Sequence, residues 1–406
     1  MMWLSLACRN ILANRRRSMM ALAAIAAAAV AMMLFADYVN AIRVGLRHTT
    51  IHAGLGHLRI AATGGFDAYE EKQLQHGMTP AQYSVLAQAA DKQPSVRRMV
   101  PTLAFQGLVS NGPRTVSFSG VGADPVLENA AFSASHNIVA GSQLNGASAD
   151  DGVVLGEELA KRLGVKVGQT VTLLTSTVSG AINAADVQVV GLENTGVPER
   201  DLHLLRAKLS MVQTLLATDR VSDVALLLDD EADVGTVQRS LAAVLPGMEL
   251  RNWLQLAPYY TQVLDMYENL FRIFGLFILL VSLLGLTTII LASVLERSRE
   301  IGVMRALGIS AWHVRRAFVL EGLVLCVIGV GLGMLAATVI GHGVNALNLM
   351  MPPPPGRTEG YPLRILWDWA ATAGIAVAVM LLGVSAAWMA SGRVTRLKVI
   401  DALGAL

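Results

Sequence analysis

Ile273-Phe-Gly-Leu-Phe-Ile-Leu-Leu-Val-Ser-Leu-Leu-Gly-Leu-Thr-Thr-Ile-Ile-Leu-Ala-Ser-Val-Leu295 runs for 23 residues without a charge, then breaks into Glu296-Arg-Ser-Arg-Glu-Ile-Gly-Val-Met-Arg-Ala-Leu-Gly308. A helix needs about 20 mostly apolar residues to cross the hydrocarbon of a bilayer. The first half of this stretch therefore predicts a transmembrane helix, and the second a basic loop emerging from it. Three other runs meet the same criterion: Ser18 to Ala36, Gly322 to Gly341 and Trp369 to Ala390. The first follows Arg15-Arg16-Arg17, as a signal peptide would, but its 19 residues exceed an ordinary h-region of roughly 7–15. It reads as a helix.

The whole composition agrees. Of 406 residues, 53% are hydrophobic and only 15% charged, with mean hydropathy +0.50. Soluble chains average about 25% charged. An ordinary cytosolic enzyme and a disordered chain are both excluded. The fold class expected is an α-helical membrane protein of four transmembrane helices in a 1+3 order, with a large mixed α/β extracytoplasmic domain inserted between helices 1 and 2. In residues, this gives a cytoplasmic flank 1–17, helix 1 at 18–36, the outer domain at 37–269 and helix 2 at 270–295. A loop at 296–316, helix 3 at 317–344, an outer loop at 345–366, helix 4 at 367–391 and a tail at 392–406 complete it.

Orientation follows from arginine and lysine in the short flanks. Arg9, Arg15, Arg16 and Arg17, then Arg297, Arg299, Arg305, Arg315 and Arg316, then Arg393, Arg396 and Lys398 face only Glu296, Glu300 and Asp401. Both termini and the loop are thus expected in the cytoplasm, and the large domain outside the inner membrane. Cys8 and Cys326, the only cysteines, then fall at the cytoplasmic side and within a helix, so the outer domain holds no disulfide.

Within the domain, Thr170–Thr175, Asp186–Gly191 and Val224–Leu228 read as strands. Glu157–Leu163 reads as a helix stopped by Gly164, Val234–Leu245 as one ended by Pro246-Gly247, and Thr79 as the N-cap of a helix running to Ala90. Such interleaving argues for a two-lobed α/β domain. Pro258–Arg272 is amphipathic and leads directly into helix 2.

No phosphate-cradling G-x-x-x-x-G-K-[ST], no H-E-x-x-H, no G-x-S-x-G and no paired C-x-x-C occurs. No catalytic, metal or cofactor-binding residue is assigned, and no nucleic-acid partner. His48 and His52, at i and i+4 with His57 nearby, have a spacing that could hold a metal on a helix, but without a carboxylate or cysteine they read as interfacial imidazoles. Gly329, Gly333, Ala337 and Gly341 recur every four residues, a small face for close helix packing within the subunit or at a dimer seam. Glu321 is a carboxylate one turn inside a span, expected to snorkel or to pair with an arginine such as Arg17 or Arg316. In the loop, Ile301, Met304 and Leu307 form an apolar stripe on a helix too short to stand alone in water. The stripe predicts a partner groove. Gly308 ends that helix, and Ser310 can cap the next.

From Glu296 to Gly308 the loop matches E-R-x-R-E-I-G-x-x-[KR]-A-[LI]-G at every position, and resembles the coupling helix of FtsX/MacB/LolC-type ABC transporter permeases. Asp151–Gly156, the Glu157–Leu163 helix and Gly164-Val-Lys-Val-Gly168-Gln169 resemble a second family motif, with Gln169 in place of its usual acid. The resemblance implies a non-catalytic permease subunit. Glu296, Arg297, Glu300, Ile301, Met304, Arg305, Leu307 and Gly308 would couple it to an ABC ATP-binding subunit, present in two copies and carrying the ATP and Mg. The short segment before helix 1 puts that ATPase on another chain. A second permease subunit, favoured as a homodimer, membrane lipid, and a periplasmic carrier or adaptor are the other partners implied. The function implied is extraction or export of a lipoprotein or lipid-like substrate by motions of the outer domain. A MacB-like efflux subunit and an FtsX-like regulator of a cell-wall hydrolase are the alternatives. Ser176–Ala185, where LolC-type subunits carry a proline-containing docking hook, has ten residues and no proline. Met351-Pro-Pro-Pro-Pro-Gly356 reads as a stiff spacer or a docking segment.

Overall fold

The computed structural model describes residues 15–66, 76–132, 136–146, 151–352, 358 and 360–392. Cys8, Arg9, the run from Pro353 to Gly356 and the tail from Arg393 lie outside them. In chain order the elements used below are α1 (Arg15–Thr50), β1 (Leu58–Ala62), α2 (Pro80–Asp91), β2 (Val96–Ser110), β3 (Thr115–Ala123), α3 (Pro125–Phe132), β4 (Ile138–Gly141) and β5 (Gly152–Gly156). Then follow α4 (Glu157–Leu163), β6 (Thr170–Ser176), β7 (Ile182–Glu193), β8 (Leu204–Lys208), α5 (Leu209–Leu216), β9 (Asp223–Leu228), α6 (Val234–Val244) and β10 (Met248–Asn252). The chain ends with α7 (Pro258–Glu296), α8 (Ser298–Ala306), α9 (Ala311–Leu347) and α10 (Trp369–Ser391).

Two compact units result, one of helices and one centred on the sheet. Among the described residues four helices, α1, α7, α9 and α10, are long and apolar enough to cross a membrane. One precedes the sheet domain in the chain and three follow it. Three of them outrun the apolar stretches that announce them: α1 continues to Thr50, α7 starts at Pro258 and α9 starts at Ala311. A hydropathy run measures only the part that avoids charge, whereas backbone hydrogen bonding carries on through amphipathic flanks. Their common core holds Ile25, Ala29 and Met33 of α1, Leu286 and Ile290 of α7, Cys326 and Ala337 of α9, and Val379 and Ala386 of α10. Outside that core, Ile273, Phe274, Leu276, Phe277, Leu280, Val281 and Leu284 of α7 are exposed. An apolar surface of this extent suits lipid rather than water. At the bundle end away from α8, Asn345 grips the segment before α10 through both amide atoms, donating to the Ile365 carbonyl at 2.8 Å and accepting from its N–H at 2.9 Å. There Asp37 of α1, buried, accepts from the Asp368 N–H at 3.0 Å.

The sheet domain has two cores. β1, α2, β2, β9, α6 and β10 follow one another as βαββαβ, with strand order β10-β1-β9-β2 and every neighbour antiparallel. That is a ferredoxin-like split βαβ arrangement, with Leu58, Ile60, Leu86, Leu226 and Leu241 in its core. Residues between β2 and β9 form the second lobe. There β2 pairs β3, β3 pairs β8, β8 pairs β5, β5 pairs β7, β7 pairs β6, and β6 returns to β2. These six strands close on themselves around Leu103, Phe105, Phe118, Val153, Leu173 and Val187, with α4 and α5 packed on. Closure removes the free edges that an open sheet would expose.

Local chemistry explains the ends of these elements. Thr79 and Gln82 form a reciprocal capping box at the start of α2, which spares two orphan N–H groups. α4 stops where Gly164 turns left-handed (φ +75°) and donates its N–H to the Ala160 carbonyl at 2.8 Å. Of the segment Ser176–Ala185, only Thr177 to Ala181 is turn, since Ser176 ends β6 and Ile182 already begins β7.

Candidate functional site

α8 is built to be a separate short helix. Arg297 breaks away from helical geometry after α7 (ψ 14°), and Gly308, at φ +88°, reverses the chain after α8. The Ile309 N–H donates to the Met304 carbonyl at 3.1 Å and the Gly308 N–H to Arg305 at 3.1 Å, so the last carbonyls are used. The apolar stripe does not point where its spacing suggested. Ile301 is 1% exposed and packs with Val294, Val314 and Phe318, while Met304 and Ile309 lie half-buried against the same cluster. The flanking helices fold back closely enough to cover the stripe's near end themselves. Left facing outward are Glu296, Glu300, Val303 and Leu307, the last 78% exposed, with Arg297 and Arg305 half-buried. The groove needed by this helix is thus supplied partly by its own chain, and the surface open to a partner is Val303–Leu307 with its acidic flank.

Glu321 pairs with Arg297, at 3.5 Å between Nη1 and Oε2, both side chains about 13–14% exposed. Arg316, one of the partners expected, instead lies 5.4 Å over the Trp312 ring; the side chain of Arg17 lies outside the described residues. The α7–α8 break brings Arg297 beside the third turn of α9, a neighbour 24 positions away that helical spacing does not reveal. Ser310 occupies the N-cap position of α9 but its hydroxyl bonds the His313 ring at 2.6 Å instead of a backbone N–H. The arginine and tryptophan pairs around it were missed in the sequence. Arg315 lies 3.5 Å over the Trp388 ring, and Trp312 meets Trp388 edge to face at 5.5 Å. A tryptophan at the loop end of each of two spans, one of them three and four residues before two arginines, was the signal.

The small face of α9 is occupied inside the chain. A Cβ on Gly329 would sit 2.7 Å from Ile25, and one on Gly333 2.7 Å from the Ala29 Cβ, so α1 lies directly against them. Ala337 is buried and Gly341 faces Ile365.

In the sheet domain an open groove of about 810 Å³ lies along β2, β3 and the β6–β7 turn. Phe105, Phe118 and Leu174 give it an apolar lining and Ser117, Ser119 and Thr175 a hydroxyl one; no lining residue is ionisable. It can bind, but offers no acid, base or nucleophilic thiol. The domain's buried charges sit elsewhere: Arg206 contacts Glu128 at 2.5 Å and Glu193 at 2.7 Å, and His136 approaches Glu193 at 3.5 Å. Burial works to raise Glu193, but the His136 and Arg206 contacts overcome it and hold the carboxyl below its ordinary range. This cluster ties β7, β8 and α3 together. The histidines cannot act as one metal set, because His57 Nδ1 accepts the Leu228 N–H at 3.1 Å while His48 and His52 stack on each other. No group of three metal-ligating side chains occurs among the described residues.

The model for the FtsX-like permease C-terminal region matches residues 272–399, which hold α8, and that for the MacB-like periplasmic core domain matches residues 18–244. The chain belongs to the FtsX/MacB family of ABC transporter permeases. This FtsX-like permease is 26% identical over 263 residues to the lipoprotein-releasing system transmembrane protein LolE of Haemophilus influenzae, covering 62% of this chain and 63% of that one. It is 26% identical over 233 residues to the ABC transporter permease YknZ of Bacillus subtilis, covering 55% of each, and 26% over 203 residues to LolC of Neisseria meningitidis, covering 48% of each. The FtsX-like permease thus spans less than two thirds of the length of these relatives.

Proposed function

We propose that this permease is the membrane subunit through which a separate ATPase, in two copies with ATP and Mg, drives motions of the sheet domain to extract a lipoprotein or lipid-like substrate from the inner membrane. The observation that carries the coupling role is α8: a short helix between two spans on which the apolar side chains of Val303 and Leu307 are exposed. Its Ile301 side anchors it to α7 and α9, so a push on the exposed side is passed to both spans. The basic flanks orient α8 and both termini to the cytoplasm and the sheet domain to the periplasm. Two copies of the chain assemble around an apolar cavity. Lipoprotein is favoured as substrate because LolE and LolC are named lipoprotein-releasing proteins, and because pulling an acyl chain from a bilayer costs about 0.8 kcal/mol per methylene, work that suits an ATPase. The five-residue turn Thr177–Ala181 is too short for a LolC-like hook, which is compatible with a LolE-like or an efflux-like subunit.

The test is ATP-dependent release of an acylated lipoprotein from proteoliposomes holding the permease and its ATPase. The doubly substituted Arg305→Glu/Leu307→Asp permease should insert normally yet fail to stimulate ATP hydrolysis. Unchanged stimulation would exclude α8 as the coupling element; full stimulation by the wild type without lipoprotein release would exclude the substrate. Release of a macrolide or activation of a hydrolase instead would point to the other two family roles.

A further inference from the structure

Trp312, Arg315, Arg316 and Val319 fall at i, i+3, i+4 and i+7, so they share one face of the first turns of α9. Neither arginine is neutralised: no carboxylate pairs with Arg315 or Arg316 among the described residues. Arg315 is nevertheless held in place. Its guanidinium carbon lies 3.5 Å from the centre of the Trp388 ring, Nη2 donates to the Trp388 carbonyl at 2.9 Å, and Nε is enclosed without a partner. Nη1 is the donor left free. Arg316 projects into solvent over Trp312, and the two indoles, 47% and 42% exposed, meet edge to face between the arginines. A cation fixed on an aromatic face with no counter-charge is a receptor rather than a bridge. α9 also begins without a side-chain cap, because Ser310 is engaged with His313, and the positive end of its dipole lies at the same end of the bundle. Away from the cluster the neighbouring surface becomes apolar: Val327 on α9, and Val377 and Leu381 on α10, are each at least half exposed.

We propose that this cluster is a site for one anionic glycerophospholipid of the leaflet at the α8 end, cytoplasmic in the orientation given above. Arg315 Nη1 and Arg316 would bind the phosphate, the two indoles would flank the glycerol, and the acyl chains would lie along the apolar stripes. A free phosphate or nucleotide would use the arginines but gain nothing from those stripes. A zwitterionic lipid would use the stripes but bring its own cation to the arginines. The site begins six residues beyond the end of α8 and bonds the start of α9 to the end of α10, so its lipid braces the base of the coupling helix.

The test is native mass spectrometry of the full-length purified permease against phosphatidylglycerol and phosphatidylethanolamine, with no ATPase or assumed orientation needed. The wild type should retain phosphatidylglycerol at least tenfold more strongly, and Arg315→Gln/Arg316→Gln should bring the two lipids within twofold. Arg364→Gln, at the opposite end of the bundle, should leave the preference intact. Trp388→Leu keeps both charges and should still reduce retention about fivefold, which covers the case that the double variant fails to insert. Equal retention by the wild type, an unaltered preference in either the double variant or Trp388→Leu, or displacement of the lipid by inorganic phosphate alone would each overturn the site.

Discussion

Gly329, Gly331 and Gly333 stand two residues apart on α9, and the structure assigns opposite signs to the same substitution among them. Replacing a helical glycine by alanine stabilises by about 0.8–1 kcal/mol through the lost backbone freedom of the unfolded chain. At Gly331 nothing lies within 4 Å of the added methyl, so that gain should appear almost whole. At Gly333 the methyl would meet the Ala29 Cβ at 2.7 Å and the Ala26 carbonyl at 3.0 Å; at Gly329 it would meet Ile25 Cγ2 at 2.7 Å and Cβ at 2.8 Å. Ordinary carbon contacts are about 3.5–4.0 Å, so α1 must retreat by roughly 1 Å. Neither obstacle is a flexible tip: both atoms are fixed close to the α1 backbone. Overpacking of this kind costs about 1–3 kcal/mol. The expected outcomes are a gain of about 0.5–1 kcal/mol for Gly331→Ala, a net loss of about 1–2 for Gly333→Ala, and about 2–4 for the Gly329→Ala/Gly333→Ala pair. Cys326, 1% exposed in the bundle core, supplies the assay. On a Cys8→Ser background its labelling by a maleimide dye during heating reports opening of the bundle, at roughly 2–4 °C per kcal/mol. Midpoints shifted the same way by all three variants would refute the opposite signs. A loss at Gly331 as large as at Gly333 would mean that another helix covers Gly331.

Three further outcomes follow from side chains whose surroundings are defined. Ile301→Ala should cost about 2–4 kcal/mol in the same assay, while Leu307→Ala stays within about 0.5; the reverse order would turn α8 over. Arg206→Met should destabilise the sheet domain by about 3–5 kcal/mol, by stranding Glu128 and Glu193 together, and adding Glu193→Gln should recover part of it; circular dichroism melts that ranked the double variant below the single would refute the cluster. Because the folded Glu193 carboxyl titrates below its unfolded value, it contributes stability above the unfolded value and loses it as pH falls through the folded one. Asp201, raised by burial, works in the opposite direction. Between pH 5 and 3 the midpoint should therefore fall less steeply in Glu193→Gln than in wild type, and identical slopes would exclude Glu193 as a contributor.

What the sequence revealed was whatever depends on neighbours within a few residues. The apolar runs, the capping residue Thr79, the stops at Gly164 and Gly308 and the strands on either side of Thr177–Ala181 all follow from local backbone chemistry. The closed ring of strands does not, because it depends on β3 lying parallel to β8 and β5 parallel to β7, pairings across 85 and 36 to 37 residues that no periodicity encodes. The site was half legible for the same reason. The spacing of Ile301, Met304 and Leu307 defines a stripe, but a helix of nine residues does not say which end of the stripe its own chain will cover. Glu321 was visibly in need of a cation, yet Arg297 qualifies only once the chain breaks between α7 and α8. Glu128, His136, Glu193 and Arg206 are separately unremarkable polar residues until folding buries them together.

β2 belongs to both lobes: Val96 to Thr102 is laddered to β9 in one core, and Thr102 to Ser110 to β3 in the other. Fifteen extended residues reach about 50 Å. A load pulling the lobes apart along that strand would meet covalent backbone and, on either side, hydrogen bonds that must all fail in shear together instead of unzipping singly. A bend across the strand meets no such resistance. The domain would behave as a tie-rod, stiff in tension and compliant in flexure, and a pull delivered at one lobe would reach the other with little lost to stretch.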